Sequence, residues 1–275
     1  MVRNVLTIDV EDWYHVCGIA VEPEIPPEKH RVAATTGRIL DVLKQHGVTA
    51  TFFVLGSVAE AEPDLLRRIA TEGHEIASHG WSHTLVSDLS RDEFVGELLR
   101  TEEVIQTLTG TNPVGFRAPQ WSVSTRTPWV HEVLAERGYW YDSSLNPLPI
   151  VGDPSGSRVP YRIDTPAGSL WEVPPLVTPT LFGNLPTGGG WGFRFFPFPM
   201  VERGRRALNQ QGHPAVIYLH PRDVDPSGPR LKISPLRRFV AYGLATDAVP
   251  RLERLLTQNS FATIKELVAG WHTVS

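Results

Sequence analysis

VTATFFVLGSVAEAEPDLLRRIATEGHEIAS, residues 48–78, packs a strand, a helix and a second strand into one short stretch. VTATFFVLG is a β-branched and aromatic run that ends in glycine, as a buried strand does before a turn. Residues 63–72 then place Leu65, Leu66 and Ile69 at helical spacing, with Asp64 near the start and Gly73 as the stop. EIAS, residues 75–78, is the next strand. Two strands joined by a helix lie parallel, so the stretch predicts a βαβ unit.

The same unit recurs on both sides. VLTIDV, residues 5–10, reads as the first strand, and residues 33–46 follow as a helix with Ile39, Leu40 and Leu43 inward and Gly47 closing it. Downstream, residues 90–109 form a long amphipathic helix capped by Ser90 and closed by Gly110. Residues 114–119 supply a fourth strand, 128–137 a helix and 139–144 a fifth strand. Residues 146–199 differ: Pro174-Pro175, Gly188-Gly189-Gly190 and the run WGFRFFPF predict long surface loops with short strands. Residues 214–220 return to a strand that ends in a histidine, residues 250–258 to a helix, and FATIKELV leads to the end. Seven or so such units predict an α/β fold, a (β/α) barrel left incomplete where the middle lacks crossovers, in one domain spanning residues 1–275.

Composition narrows the function. Hydrophobic residues are 41% and charged residues 20%, which suits a soluble globular chain, and no apolar run reaches the length of a membrane span. MVRNVLTIDVEDW enters a strand directly, so no export leader and a cytoplasmic setting are expected. Cys17, the single cysteine, suits packing better than chemistry and fits a reducing compartment. A net charge of −4 with mixed signs predicts no basic surface for nucleic acid or anionic lipid.

Polar, reactive side chains sit where strands end: Asp9, Glu11 and Asp12 after the first, His79 and His83 after the third, Arg117 at the fourth, and His220 later. That edge is where parallel α/β folds build active sites. Histidines four apart can turn both imidazoles onto one divalent ion, and the acidic cluster can add a third ligand and leave a base over. Each feature also has an ordinary structural reading, as an exposed helix pair, a helix cap or an ion pair, and their coincidence is what favours a site. His15, His74 and His131 read as structural or surface residues, and the aromatics from 191 to 198 as core filling before a sugar platform.

TIDVEDW, ATFFVLG, GHEIASHGWSH, GFRAPQWS, YDSS and IYLHP, in this order, resemble the polysaccharide deacetylases of carbohydrate esterase family 4. GGGWGFRFFP and LHPRDVDPSGPRLKI more narrowly resemble the subgroup found with bacterial exopolysaccharide and exosortase loci, whose carboxy-terminal extension (about 146–275) packs into the same domain. The resemblance implies a distorted, incomplete (β/α) barrel and a hydrolase that removes N-acetyl groups from an aminosugar polysaccharide or its precursor. It implies Asp9 as catalytic base, Arg117 orienting it, His220 as the acid that protonates the leaving amine, and His79 and His83 as metal ligands. The commonest family pattern has adjacent aspartates where Asp9 and Val10 stand, so the third ligand is Glu11 or Asp12; strand alternation favours Glu11. Zinc is the chemical default, with cobalt, nickel or manganese able to use the same ligands. A backbone N–H near the strand ends, for instance in the loop after His79, is expected to help hold the oxyanion. The competing readings are a metal-independent cyclic amide or ureide hydrolase resembling the allantoinase branch, and a non-catalytic carbohydrate-binding protein.

Overall fold

The computed structural model describes residues 2–16, 19, 25–149 and 151–272; Cys17 lies outside them. The chain opens with β1 (Asn4–Val10), α1 (Val32–His46), β2 (Thr51–Val54), α2 (Gly56–Ala61) and α3 (Pro63–Thr71). It continues through β3 (Glu75–Ser78), α4 (Arg91–Thr109), β4 (Gly115–Phe116), α5 (Trp129–Glu136) and β5 (Tyr141–Asp142). Two hairpins follow, β6 (Tyr161–Thr165) with β7 (Gly168–Glu172) and β8 (Thr178–Thr180) with β9 (Gly183–Leu185). Then come α6 (Gly190–Phe195), α7 (Phe198–Gln210), β10 (Val216–Leu219), α8 (Pro235–Tyr242), α9 (Val249–Gln258), β11 (Phe261–Ala262) and α10 (Ile264–His272).

The main sheet runs β10-β1-β2-β3-β4-β5-β7-β6, with β11 also paired to β1, and every pair but β6 with β7 is parallel. It curls into a half-barrel and does not close. Crossover helices explain the parallel pairs, and local signals explain the helices: Ser90 caps α4 through a reciprocal bond with Glu93, and Gly110 ends it in the left-handed conformation.

Residues 146–199 hold the short strands expected of them, β6 to β9, but more of the stretch is built into the fold than surface loops would be. β7 is a full parallel neighbour of β5, reached through the β6 hairpin in place of a helix. The irregular chain beyond it covers the gap in the barrel: Leu176 N donates to Val216 O, and Tyr218 N donates to Gly188 O. Gly189 runs so close to β10 that a Cβ there would lie 2.3 Å from Tyr218, so the glycine-rich run is a packing requirement. Proline and glycine content reported the missing crossovers and not the absence of sheet. The short α2 was also not expected; it starts at Gly56, whose N–H donates to Gly80 O and whose missing Cβ leaves room for Trp81.

Strand alternation sorts β1 into two faces. Leu6, Ile8 and Val10 face outward into the core shared with α1, α3 and α9. Val5, Thr7 and Asp9 face inward. Val5 joins Phe53, Ala77, Tyr141, Ile264 and Val268 in an apolar floor closed by α10, and the layer above it turns polar. Glu75 marks the transition, accepting from Thr51 Oγ1, Tyr141 OH and the Lys265 N–H. The open end of the barrel is therefore the place where inward polar groups collect.

Candidate active site

Asp9, Arg117 and His220 share that inward register. Arg117 is 1% exposed and spends its guanidinium on four contacts: Nη1 donates to Asp9 Oδ1 (2.7 Å) and Thr7 Oγ1 (2.8 Å), Nη2 to Ser143 Oγ (2.9 Å) and Nε to Ser143 O (3.2 Å). Its plane lies over the rings of Phe53 and Trp121, at 4.1 and 4.9 Å. Asp9 is thus held by one oxygen, and the other, Oδ2, faces His220 Nε2 at 3.9 Å.

Two residues on, Glu11 keeps the inward register. Its Oε1 lies 3.3 Å from His79 Nε2 and 3.1 Å from His83 Nε2, and Oε2 accepts from Arg222 Nη1 at 2.6 Å. Burial opposes charge on Glu11, but His83, Arg222, His220 and His79 together hold the carboxyl well below the usual carboxylate range. His79 Nδ1–H donates to the Arg117 carbonyl (2.7 Å), which turns Nε2 towards Glu11 Oε1. A ring nitrogen pinned by a backbone carbonyl is the usual support of a metal-binding histidine. Glu11, His79 and His83 therefore fit a divalent cation, their three donor atoms all within 4.8 Å of one another.

Asp12 is not brought into this cluster. Its Oδ2 accepts from the N–H groups of Arg31 (2.8 Å) and Val32 (3.2 Å) at the start of α1, and Oδ1 accepts from Trp13 N. The turn after β1 reverses its direction and makes it the cap of the next helix. His15, read from the sequence as structural or surface, is half-buried beside the site, its ring 5.7 Å from that of His83. Burial pushes its imidazole down to about 3, helped by the charge of His83, and Nδ1 accepts from Asp12 N.

The HGWSH loop that carries His79 and His83 is clamped from α4. The Glu97 carboxylate accepts from Trp81 N (2.6 Å) and Ser82 N (3.0 Å), and Gly80 N donates to Ser78 Oγ. The N–H groups of Gly80, Trp81 and Ser82 are thus already engaged. His83 itself has φ 62°, a left-handed conformation that a non-glycine residue adopts at a cost and that here turns its ring onto Glu11.

His220 is oriented from behind. Its backbone N–H donates to Asp223 Oδ2 (2.8 Å), and Nδ1–H donates to the same oxygen (3.2 Å), so Nε2 is the atom presented to Asp9 and Glu11. Asp223 is itself buried against Arg194, whose Nη2 donates to Oδ1 at 2.7 Å; burial would raise its carboxyl, but Arg194 and His220 hold it far below the ordinary value. Arg222, Asp223, Arg194 and Glu97 were not singled out from sequence. Arg222 and Asp223 lie inside LHPRDVDPSGPRLKI, where only the histidine was given a role. In the aromatic run, Phe193 and Phe198 are buried, while Trp191 and half-exposed Phe195 pack against Phe239, the latter edge-on.

Residues 26–140 match the family profile described as polysaccharide deacetylase, and residues 143–269 match one described as a domain of unknown function, DUF3473. A peptidoglycan-N-acetylglucosamine deacetylase of Bacillus cereus is 33% identical over 147 residues, covering 49% of this chain and 53% of that protein. The chain spans about half or less of the length of the curated relatives it matches. Among solved structures, peptidoglycan deacetylase PdaC from Bacillus subtilis is 20% identical with a TM-score of 0.51, covering 99% of this chain and 93% of that one. The Puue allantoinase is 16% identical with a TM-score of 0.69, covering 98% and 90%. At these identities the two structures speak for the fold alone.

Proposed function

We propose, from the polysaccharide deacetylase match over residues 26–140 and the site at the open end of the barrel, that the protein is a hydrolase removing N-acetyl groups from an aminosugar glycan. The observation that carries the reading is the convergence of Glu11 Oε1 with the Nε2 atoms of His79 and His83, with Asp9 and His220 beside it. A divalent cation held by Glu11, His79 and His83, zinc by ligand chemistry, would polarise the acetamide carbonyl and lower the pKa of a water.

The chain's own residues supply the proton transfers. Asp9 Oδ2, the oxygen that Arg117 leaves free, takes the proton of the attacking water. His220 Nε2, aimed by Asp223, gives a proton to the amide nitrogen as the C–N bond breaks, and acetate and the amine leave. The two atoms lie 3.9 Å apart, so base and acid flank one small volume. Phe53 and Trp121 cover the Arg117 guanidinium and keep water from its contact with Asp9. Residues 143–269 complete the site by supplying His220 and its support, and the exopolysaccharide-associated subgroup and a cytoplasmic setting belong to the same reading. No helix among the described residues is long and apolar enough to cross a membrane.

The experiment is acetate release from N-acetylglucosamine oligomers by protein stripped with chelator and restored with zinc, beside Asp9→Asn. Zinc-dependent release that the variant lacks supports the proposal. Release that survives chelation, or turnover of a cyclic ureide in its place, would overturn it in favour of the metal-independent branch, and a bound metal without turnover of any acetylated glycan would favour the binding protein.

A further inference from the structure

A surface helix ordinarily carries one apolar stripe and packs it. α8 carries two. Phe239 and Tyr242 face inward, Phe239 against Trp191 (5.1 Å) and Phe195 (5.6 Å), and Tyr242 is buried with its OH donating to Trp13 O. On the other side Leu236 is 75% exposed and Val240 47%, four residues apart and so stacked on one outward face, with Leu244 exposed just beyond. Arg237 and Arg238 are exposed between them, and Lys232 is exposed on the approach.

Residues 226–246 hold Arg230, Lys232, Arg237 and Arg238 and no aspartate or glutamate. Among the described residues no carboxylate pairs with Lys232, Arg237 or Arg238. The carboxylates that border the segment are taken: Asp225 by Arg31 and Asp247 by Arg38. The net charge of −4 therefore concealed a local basic and apolar surface, contrary to the expectation of none.

We propose that α8 and the segment before it dock on an anionic phospholipid surface. Bare leucine and valine among exposed arginines is the composition that lies at a bilayer interface, where apolar side chains enter the acyl boundary and guanidinium groups meet lipid phosphates. Charge complementarity selects an anionic surface over a neutral one, and exposed aliphatic side chains select a bilayer over a soluble polyanion, which offers them nothing to enter. α8 is also tied to the site: Arg222, which holds Glu11, donates through Nε to Ala241 O at 3.0 Å. Docking would bring the mouth of the site to the membrane, where a glycan carried on lipid is presented; that consequence rests on the hydrolase reading, and the docking does not.

The test is co-sedimentation of the full chain with phosphatidylcholine vesicles with and without phosphatidylglycerol, at low and high salt. Binding is expected to the anionic vesicles alone and to fall with salt. Arg237→Gln with Arg238→Gln should weaken it about thirtyfold, the equivalent of about 1 kcal/mol for each basic residue near such a surface. Leu236→Ser with Val240→Ser should weaken it as well while leaving the thermal midpoint in place. No sedimentation, equal sedimentation with neutral vesicles, variants that bind like the parent, or preference for a soluble anionic polysaccharide over vesicles would each overturn the proposal. No turnover is needed, so failure here and failure of the hydrolase reading are separate results.

Discussion

Arg222 Nη1 donates to Glu11 Oε2 at 2.6 Å, leaving only Oε1 of that carboxylate to face His79 and His83. An outer partner that fixes a ligand commonly contributes 10- to 100-fold in metal affinity. Arg222→Gln should weaken zinc binding by about that factor in a chelator competition. A gain in affinity would show instead that repulsion between guanidinium and cation outweighs the orientation it provides.

Glu11 and Asp12 should separate cleanly. Glu11→Gln is expected to abolish metal binding. Asp12→Asn should keep the metal and lose about 1 kcal/mol of stability, because its carboxylate caps α1 through Arg31 N and Val32 N. Metal content by mass spectrometry and a denaturant titration decide it; loss of metal in Asp12→Asn with retention in Glu11→Gln reverses the assignment.

His220→Ala should lower kcat by about 10²- to 10⁴-fold while sparing bound metal, as loss of a general acid does. His79→Ala should lose both. Asp223→Asn should lower kcat less than His220→Ala and alter the pH profile of the remaining rate, because it fixes which imidazole nitrogen faces the substrate. Equal metal loss in His79→Ala and His220→Ala would contradict the two roles.

Arg117→Gln leaves Asp9 buried without its guanidinium. Removing one partner of a buried pair costs about 3–5 kcal/mol, so urea unfolding of the metal-free protein should show a loss of that order. An unchanged midpoint would mean that water reaches Asp9.

Glu172 predicts a pH effect on stability. Burial, and after it the charge of Asp142, push its carboxyl well above the ordinary value, and Oε2 is buried without a hydrogen-bond partner. The folded state then holds a proton that the unfolded state releases, so stability is full below about pH 4.5 and declines as pH rises towards the folded value. The thermal midpoint of Glu172→Gln should therefore fall less than that of the parent between about pH 5 and 8. Parallel declines would show that Glu172 is not the group responsible.

Much of this was legible in local pattern. The strand β3 falls at Glu75–Ser78 as read, and α4 runs from the residue after Ser90 to Thr109, because caps, glycine stops and apolar spacing act within a few residues. Parity along β1 likewise placed Glu11 on the face of Asp9. The membership of β7 in the sheet was not legible, since a hairpin and a surface loop have the same proline and glycine signature. Net charge also hid α8, because an average over the chain has no position.

Near neighbours along the chain set the alternation of strands and helices, the edge at which reactive groups gather, and the pair His79 and His83 on one short loop. Only the tertiary structure decided which carboxylate meets those histidines and which caps a helix. It also brought Arg222 to Glu11 across 211 positions, Arg117 to Asp9 across 108, and the Glu97 clamp to the histidine loop. Those contacts depend on the curl of the sheet and on how its gap is covered, and no residue carries that information in its immediate neighbours.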